Sequence, residues 1–373
     1  MKSKLLILLF IIVILLTSCT TKQKEEERFN EHGVLFDVDE IDNELKDKYY
    51  YHQLTDDEKL YYQALYYASK NYTSTIEWTF FPDSQILKRA RRAFIEDNPL
   101  YYWINYQSFI YTEKIVVNKD NGEEFIYYKS TPENSDETNI KECVKKLEDI
   151  GEKVVKDCYD DDPYQYVKNI HDYVCENIVY TADTGNQQTL YGALLEGKCV
   201  CEGYSRAFQY LTNKAGFACV GINGVAKFAL TENNRNIAHE WNKIQINNHW
   251  YFVDTTWDDK TDSKNKYISY NYFLLNDDFG NIDHKQSEVF SLDFPVCDDQ
   301  TLFHIEVPVY GFRNYDEKLI DEFLNDCFTK QYKNISLRFL NKDDYKKAID
   351  YLLSKNFELQ LSDECHNVYI DNE

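Results

Sequence analysis

The sequence predicts an α+β fold, and three observations carry that prediction. Two stretches with helical apolar spacing, 163–177 and 201–215, precede three strand-like runs at 217–230, 238–246 and 249–254 instead of alternating with them. Asn121-Gly122 separates two Tyr-rich apolar segments, which is a hairpin signature. The tail, 300–373, reads strand, helix, strand, helix, strand, a small α/β appendage.

In chain order, Lys2 and Lys4 precede an unbroken apolar run from Leu5 to Leu16. As a helix this run spans about 18 Å, short of the roughly 30 Å hydrocarbon core. A signal-peptide core over 1–18 is therefore expected instead of a membrane span. The run ends in Leu16-Thr17-Ser18-Cys19, which resembles the bacterial lipobox, where the Cys is acylated and becomes the new N-terminus. Cys19 is thus the expected lipidation site, and the expected location is the extracytoplasmic face of the cell membrane, held by lipid. Residues 19–33 are polar and charged, a tether.

Thr55 and Glu58 form the pattern of a capping box, opening a helix with Leu60, Ala64, Leu65 and Ala68 on one face. A second helix starts near Ser84 and stops at Asn98-Pro99. With the hairpin, this makes an N-terminal α+β region over 34–132. The polar stretch 131–137 marks a boundary, and a central domain follows over 133–295. It opens with helices at 136–158 and 163–177; Gly197 breaks the chain before Cys201, and Gly216 stops the helix that Cys201 begins. No chemistry is visible in the tail, and a structural or partner-docking role is expected there.

Composition narrows the function. The chain has 373 residues and a formal net charge of −23, with 28% charged residues. Clustered Lys and Arg are needed to neutralise phosphates, so nucleic acid is not an expected partner. The 32 Tyr are read as amphipathic filler of core and surface. Of the ten Cys, Cys143, Cys158, Cys175, Cys199, Cys219, Cys297, Cys327 and Cys365 are scattered, and most are expected as buried free thiols. No zinc-type Cys/His spacing is present.

The chemistry concentrates in three places. Cys201 follows a Gly-containing loop at the start of a helix, where oriented N–H groups and the positive helix end favour a thiolate. His239 sits in Ala238-His239-Glu240-Trp241-Asn242, and Asp254 follows Tyr251-Phe252-Val253. With Asn247-Asn248 as a tight turn, Ile246 pairs with His249, His239 faces Thr256, and Asp254 faces Trp241. Asp254 is then diagonal to His239 on one sheet face, about 7–8 Å away on the backbone. A slip of one residue would put the two on opposite faces. The predicted set is nucleophile, base and orienter for covalent acyl transfer: Cys201, His239 and Asp254.

The stretch from about 165 to 285 resembles the transglutaminase-like superfamily, papain-like in fold. The matching pieces are Ile170-His171-Asp172-Tyr173, the 191–198 segment, Val200-Cys201-Glu202-Gly203-Tyr204-Ser205, His239-Glu240-Trp241-Asn242, Trp250 to Asp254 with Thr256-Trp257-Asp258, and Tyr272-Phe273-Leu274-Leu275. The family pattern places the nucleophile at Cys201, the base at His239 and the third member at Asp254. Cys199 departs from it, because the family usually has a small residue there. An oxyanion donor besides the Cys201 N–H is expected, with Gln188 and Tyr191 as candidates. His171 and Asp172 are read as a structural pair, His249 as solvated, and His284 as a packing or capping group. The Trp residues at 241, 250 and 257 are read as core.

The resemblance implies a cysteine enzyme acting on peptide or carboxamide bonds, with no metal and no cofactor, and the lipobox at Cys19 adds the expectation that it is surface-anchored. Its partners would be a protein or peptide substrate, cell-wall peptide among them, and the membrane through the N-terminal lipid. Hydrolysis is favoured over protein-crosslinking transamidation, because nothing in the sequence marks a water-excluding amine site. The rival class is a non-catalytic module binding peptide or cell wall on the same fold.

Overall fold

The computed structural model describes residues 29–73, 75–80, 83–104, 109–117, 124–132, 139–183, 185–227, 236–260, 267–299, 301–303 and 306–372. Cys19, the apolar run before it and the Asn121-Gly122 turn lie outside the described residues. Among the described residues, no helix is long and apolar enough to cross a membrane. The chain divides into two compact units, Met1–Glu142 and Cys143–Glu373.

The first unit holds α1 (Val38–Glu44), α2 (Asp56–Lys70), β1 (Ile76–Trp78), α3 (Ser84–Asp97), β2 (Phe109–Val117) and β3 (Glu124–Pro132). The Thr55/Glu58 capping box forms as its spacing predicts. The predicted hairpin pairs antiparallel from Phe109↔Pro132 to Val117↔Glu124, and β1 adds to β3 on its other edge. The Tyr richness has a physical use here. Tyr50, Tyr51, Tyr61 and Tyr62 are fully buried, and hydroxyls among them are satisfied internally. Tyr62 donates to Asp97 Oδ2 at 3.0 Å and Tyr51 to Asp42 Oδ1 at 2.6 Å. The Tyr51 and Tyr62 rings thereby fill the core with their polar ends satisfied.

The second unit opens with α4 (Ile140–Cys158), which starts just before the division, and α5 (Pro163–Asn177). A short parallel pair follows, β4 (Val179–Tyr180) with β5 (Lys198–Cys199), and then α6 (Cys201–Lys214). The strands β6 (Cys219–Lys227), β7 (Asn236–Ile246), β8 (His249–Val253), β9 (Phe273–Leu275) and β10 (His284–Gln286) form one antiparallel sheet in the order β10-β6-β7-β8-β9. The apolar stripe of α6, Tyr204, Phe208 and Leu211, is fully buried. Two polar links fix the helix to β7: Asn242 Nδ2 donates to the Ser205 carbonyl at 3.1 Å, and Ser205 Oγ donates to the Trp241 carbonyl at 3.1 Å.

The tail forms a four-stranded sheet, β11-β12-β14-β13, from β11 (Val309–Phe312), β12 (Asn334–Phe339), β13 (Gln360–Ser362) and β14 (Asn367–Asp371), with α9 (Glu317–Thr329) and α10 (Lys342–Ser354) between. Helices α7 (Thr255–Asp258) and α8 (Asp277–Gly280) are single turns within the core. Three details differ from the predicted appendage, the first being its opening strand, expected over Leu302–Tyr310 and found at Val309–Phe312. The third strand, which the sequence pattern places over Phe357–Leu361, starts only at Gln360, because the Phe357 N–H closes the C-terminus of α10 on the Leu352 carbonyl, 3.2 Å. The last strand, β14, was not predicted; it inserts between β12 and β13, a pairing that local pattern does not encode.

Candidate active site

Cys201 is the first residue of α6, and the chain before it is tightly held. Gly197 ends a π-helical turn, Gly192–Glu196, in the left-handed region at φ 66°. Val179↔Lys198 and Tyr180↔Cys199 pair in parallel, and the Val200 N–H donates to the Gln187 carbonyl at 2.9 Å. The N-cap is Val200, whose side chain offers no acceptor to the first-turn amides. Gly203 is required by close approach: a Cβ there would lie 2.4 Å from Cys199 Cβ and 2.5 Å from its Sγ. That approach also separates the two thiols. Cys199 is fully buried beneath the helix, and burial pushes its thiol well up. Cys201 is only half-buried.

His239 lies on β7. Asn247 and Asn248 both take positive φ, 52° and 68°, the backbone of a tight two-residue hairpin turn. The register runs from Ile246↔His249 to Asn242↔Val253, as the spacing predicts. Beyond Val253 the structure departs from the extrapolated ladder. The expected pairs His239–Thr256 and Asp254–Trp241 do not form, because the Asp254 N–H turns to the Tyr272 carbonyl at 3.0 Å and Asp254 becomes the N-cap of α7. The side chains nevertheless meet: His239 Nε2 and Asp254 Oδ2 are 2.7 Å apart.

Asp254 is buried and its four acceptor positions are filled. Oδ1 accepts from the Thr256 N–H at 3.0 Å and the Trp257 N–H at 3.1 Å. Oδ2 accepts from His239 and, at 3.1 Å, from His284 Nε2. Burial alone would raise this carboxyl, but the two imidazoles hold it well below the usual carboxylate range. Burial likewise works against a charged His239, yet the Asp254 carboxylate and hydrogen bonds to Asp254 and Cys201 raise it to about 9. With Nε2 committed to Asp254, the remaining ring nitrogen is the one available to the thiol. The arrangement can extract a thiol proton, hold it, and return it to a leaving group.

His284 is the member of the His–Asp cluster that sequence reasoning missed. Instead of a domain-closing cap, it is a fully buried member of the site, with Nδ1 2.7 Å from Asp283 Oδ1 and Nε2 on Asp254. No local motif marks it, since its partner lies 30 residues away. Gln188 and Tyr191 are half-buried on the segment whose Gln187 carbonyl binds Val200, next to the start of α6. His171 pairs structurally: Nδ1 lies 3.1 Å from Asp172 Oδ1 and Nε2 3.2 Å from Asp258 Oδ2. Cys175 Sγ is 3.9 Å from the same ring, but this second Cys-His-Asp contact is sealed in the core, and burial pushes the Cys175 thiol up to about 11. His249 is exposed at the hairpin turn.

Among the described residues, ligand atoms of His239, Asp254 and His284 lie within 4.8 Å of one another. Each of the facing atoms is already spent, nitrogen to carboxylate, inside the cluster. A cavity of about 640 Å³ opens beside His239. Tyr180 and Trp257 line it from the core, and Glu364, Cys365 and Tyr369 line it from the appendage.

A half-buried thiol at a helix start thus stands with a buried His–Asp pair on an adjoining antiparallel sheet. Residues 152–255 match the model of the transglutaminase-like superfamily, so this segment is a transglutaminase-like domain. The matched segment contains Cys201, His239 and Asp254 and ends before His284. Kyphoscoliosis peptidase from Mus musculus is 25% identical over 122 residues, 29% of this chain and 18% of that protein. A Cytophaga hutchinsonii protein of solved structure is 16% identical and covers 40% of this chain and 64% of its own, with a TM-score of 0.26. The periplasmic domain of TgpA from Pseudomonas aeruginosa is 17% identical over 36% of this chain and 57% of its own, with a TM-score of 0.24. This chain spans less than two thirds of each of these relatives.

Proposed function

We propose that this protein is a lipid-anchored cysteine enzyme that hydrolyses peptide or carboxamide bonds. The observation that supports the reading best is buried His239, held by Asp254 through Nε2 at 2.7 Å and left with its other ring nitrogen for the Cys201 thiol. In the proposed reaction Cys201 Sγ attacks the carbonyl carbon while His239 accepts the thiol proton. The Cys201 N–H, with Gln188 or Tyr191, receives the developing oxyanion. The C–N bond breaks, the amine leaves with the proton from His239, and a thioester remains on Cys201. Water, deprotonated by His239, then releases the acid and restores the thiol. Asp254 holds the ring in the required tautomer throughout. The substrate is a protein or peptide, cell-wall peptide included, met outside the cell where Cys19 would hold the enzyme on the membrane.

The test is to incubate the detergent-solubilised protein with a glutamine-containing protein and a labelled primary amine. Peptide cleavage or ammonia release exceeding amine incorporation, and lost in Cys201→Ala, is the expected result. Amine incorporation in excess would replace hydrolysis by transamidation. Binding without any Cys201-dependent turnover across a peptide library would make the domain a binding module.

A further inference from the structure

The appendage and the triad are joined by a continuous line of buried charge. Arg338, on β12 of the appendage, is fully buried and points out of its own sheet into the core. Its Nη1 donates to the Asn271 carbonyl at 2.9 Å and its Nη2 to the Phe279 carbonyl at 2.9 Å. Nη2 also lies 3.4 and 3.3 Å from the two oxygens of Asp283. The guanidinium sits over the Tyr272 ring, 4.6 Å from its centroid. Asp283 further accepts from Tyr272 Oη at 2.7 Å and from His284 Nδ1 at 2.7 Å. His284 then reaches Asp254 Oδ2 with its other nitrogen, 3.1 Å.

Both nitrogens of His284 therefore face carboxylates, which only accept hydrogen bonds, so the ring is fixed as a double donor. We propose that the C-terminal appendage is part of the catalytic apparatus: Arg338 anchors Asp283, Asp283 anchors His284, and His284 is a positioning residue that donates a second hydrogen bond to the triad carboxylate. The inference rests on the Cys201–His239–Asp254 reading above. Its consequence is twofold. The Asp254 carboxylate cannot rotate away from His239, and its charge is shared between two imidazoles instead of being spent on one. A carboxylate devoted to His239 alone would hold that imidazolium proton too tightly to pass it to a leaving amine; His284 tempers it.

The charged and titratable groups facing His284 are Asp254, Asp283, His239, Tyr272 and, one step further, Arg338 with Cys365. Trp241, Phe252 and Trp257 close the remaining sides. The His284 and His239 ring centroids are 5.4 Å apart. Removing a positive charge at that distance moves a neighbouring titration by about one pH unit.

The test follows Cys201 alkylation by iodoacetamide against pH, in the full-length protein. The upper inflection reports loss of the His239 proton. His284→Gln is expected to move it up by about one pH unit. Arg338→Met is expected to move it the same way, and Arg338→Lys, which keeps the charge, to restore most of the native profile. A folded His284→Gln protein with an unmoved inflection overturns the proposal, as does Arg338→Lys behaving like Arg338→Met. A second measurement is the ¹⁵N-histidine spectrum at about pH 8, with the His284 signals assigned by their loss in His284→Gln: His284 protonated on both nitrogens supports the proposal, and a neutral His284 overturns it. Native protein whose alkylation ignores His239→Ala would overturn the triad reading itself, a result distinct from an unmoved inflection.

Discussion

Replacing Asp254 by Asn tests how the site stores charge. Four N–H donors converge on this side chain: two backbone amides on Oδ1 and two imidazoles on Oδ2. A carboxamide has one acceptor oxygen and one NH2 group, so in either orientation its NH2 faces two donors. Each donor left unsatisfied in a buried site costs about 1–3 kcal/mol. The catalytic effect follows from His239, raised to about 9 by its carboxylate partner. Loss of the carboxylate returns it toward its ordinary value near 6.5, which corresponds to about 3 kcal/mol of imidazolium stabilisation. Cys201 alkylation and turnover near neutral pH should fall roughly 100- to 1000-fold. Stability should change with a definite sign. A raised histidine contributes fully below its unfolded pKa and loses the contribution as pH rises through about 9. The depressed Asp254 contributes above its unfolded pKa and loses it as pH falls further. Urea denaturation should therefore show the largest gap between native and variant protein at about pH 5–6.5, narrowing above about pH 9. Equal alkylation rates, or a stability gap that does not vary with pH, would refute this account.

Three further outcomes are expected. Cys201→Ser should abolish covalent trapping by iodoacetamide in the active site, whereas Cys199→Ser should keep most of it, because Cys199 is sealed beneath the helix; peptide mapping of the adduct checks this. Gly203→Ala should lower stability by about 1–3 kcal/mol by overpacking and slow Cys201 labelling, since the added Cβ would lie 2.4 Å from Cys199 Cβ; native thermal melts of the labelled and unlabelled protein read both effects. Cys19→Ala should move the protein out of the membrane fraction or leave an uncleaved precursor; mature, membrane-partitioned variant would refute lipidation at that residue.

The helices and strands around the site were legible because local spacing encodes them. The stripe Tyr204, Phe208 and Leu211 marks one buried helix face, and Asn247-Asn248 sets a two-residue turn that fixes the register from Ile246↔His249 to Asn242↔Val253. The candidate nucleophile, base and carboxylate could thus be named from three short segments. The extrapolation failed where a long-range bond outcompeted the ladder, at Asp254, whose N–H is claimed by the Tyr272 carbonyl. His284 and Arg338 were invisible for the same reason. A buried histidine or arginine carries no periodicity of its own, and its meaning depends on which carboxylate it meets across 30 or 55 residues of chain. The sequence by itself determined most of the α+β elements and the hairpin register, written in contacts a few residues apart, and singled out Cys201, His239 and Asp254 as the candidate reacting groups. Only the tertiary structure decided that the appendage drives a guanidinium into the core and that the triad carboxylate answers to two histidines, because burial makes each charge seek a partner that chain proximity does not supply.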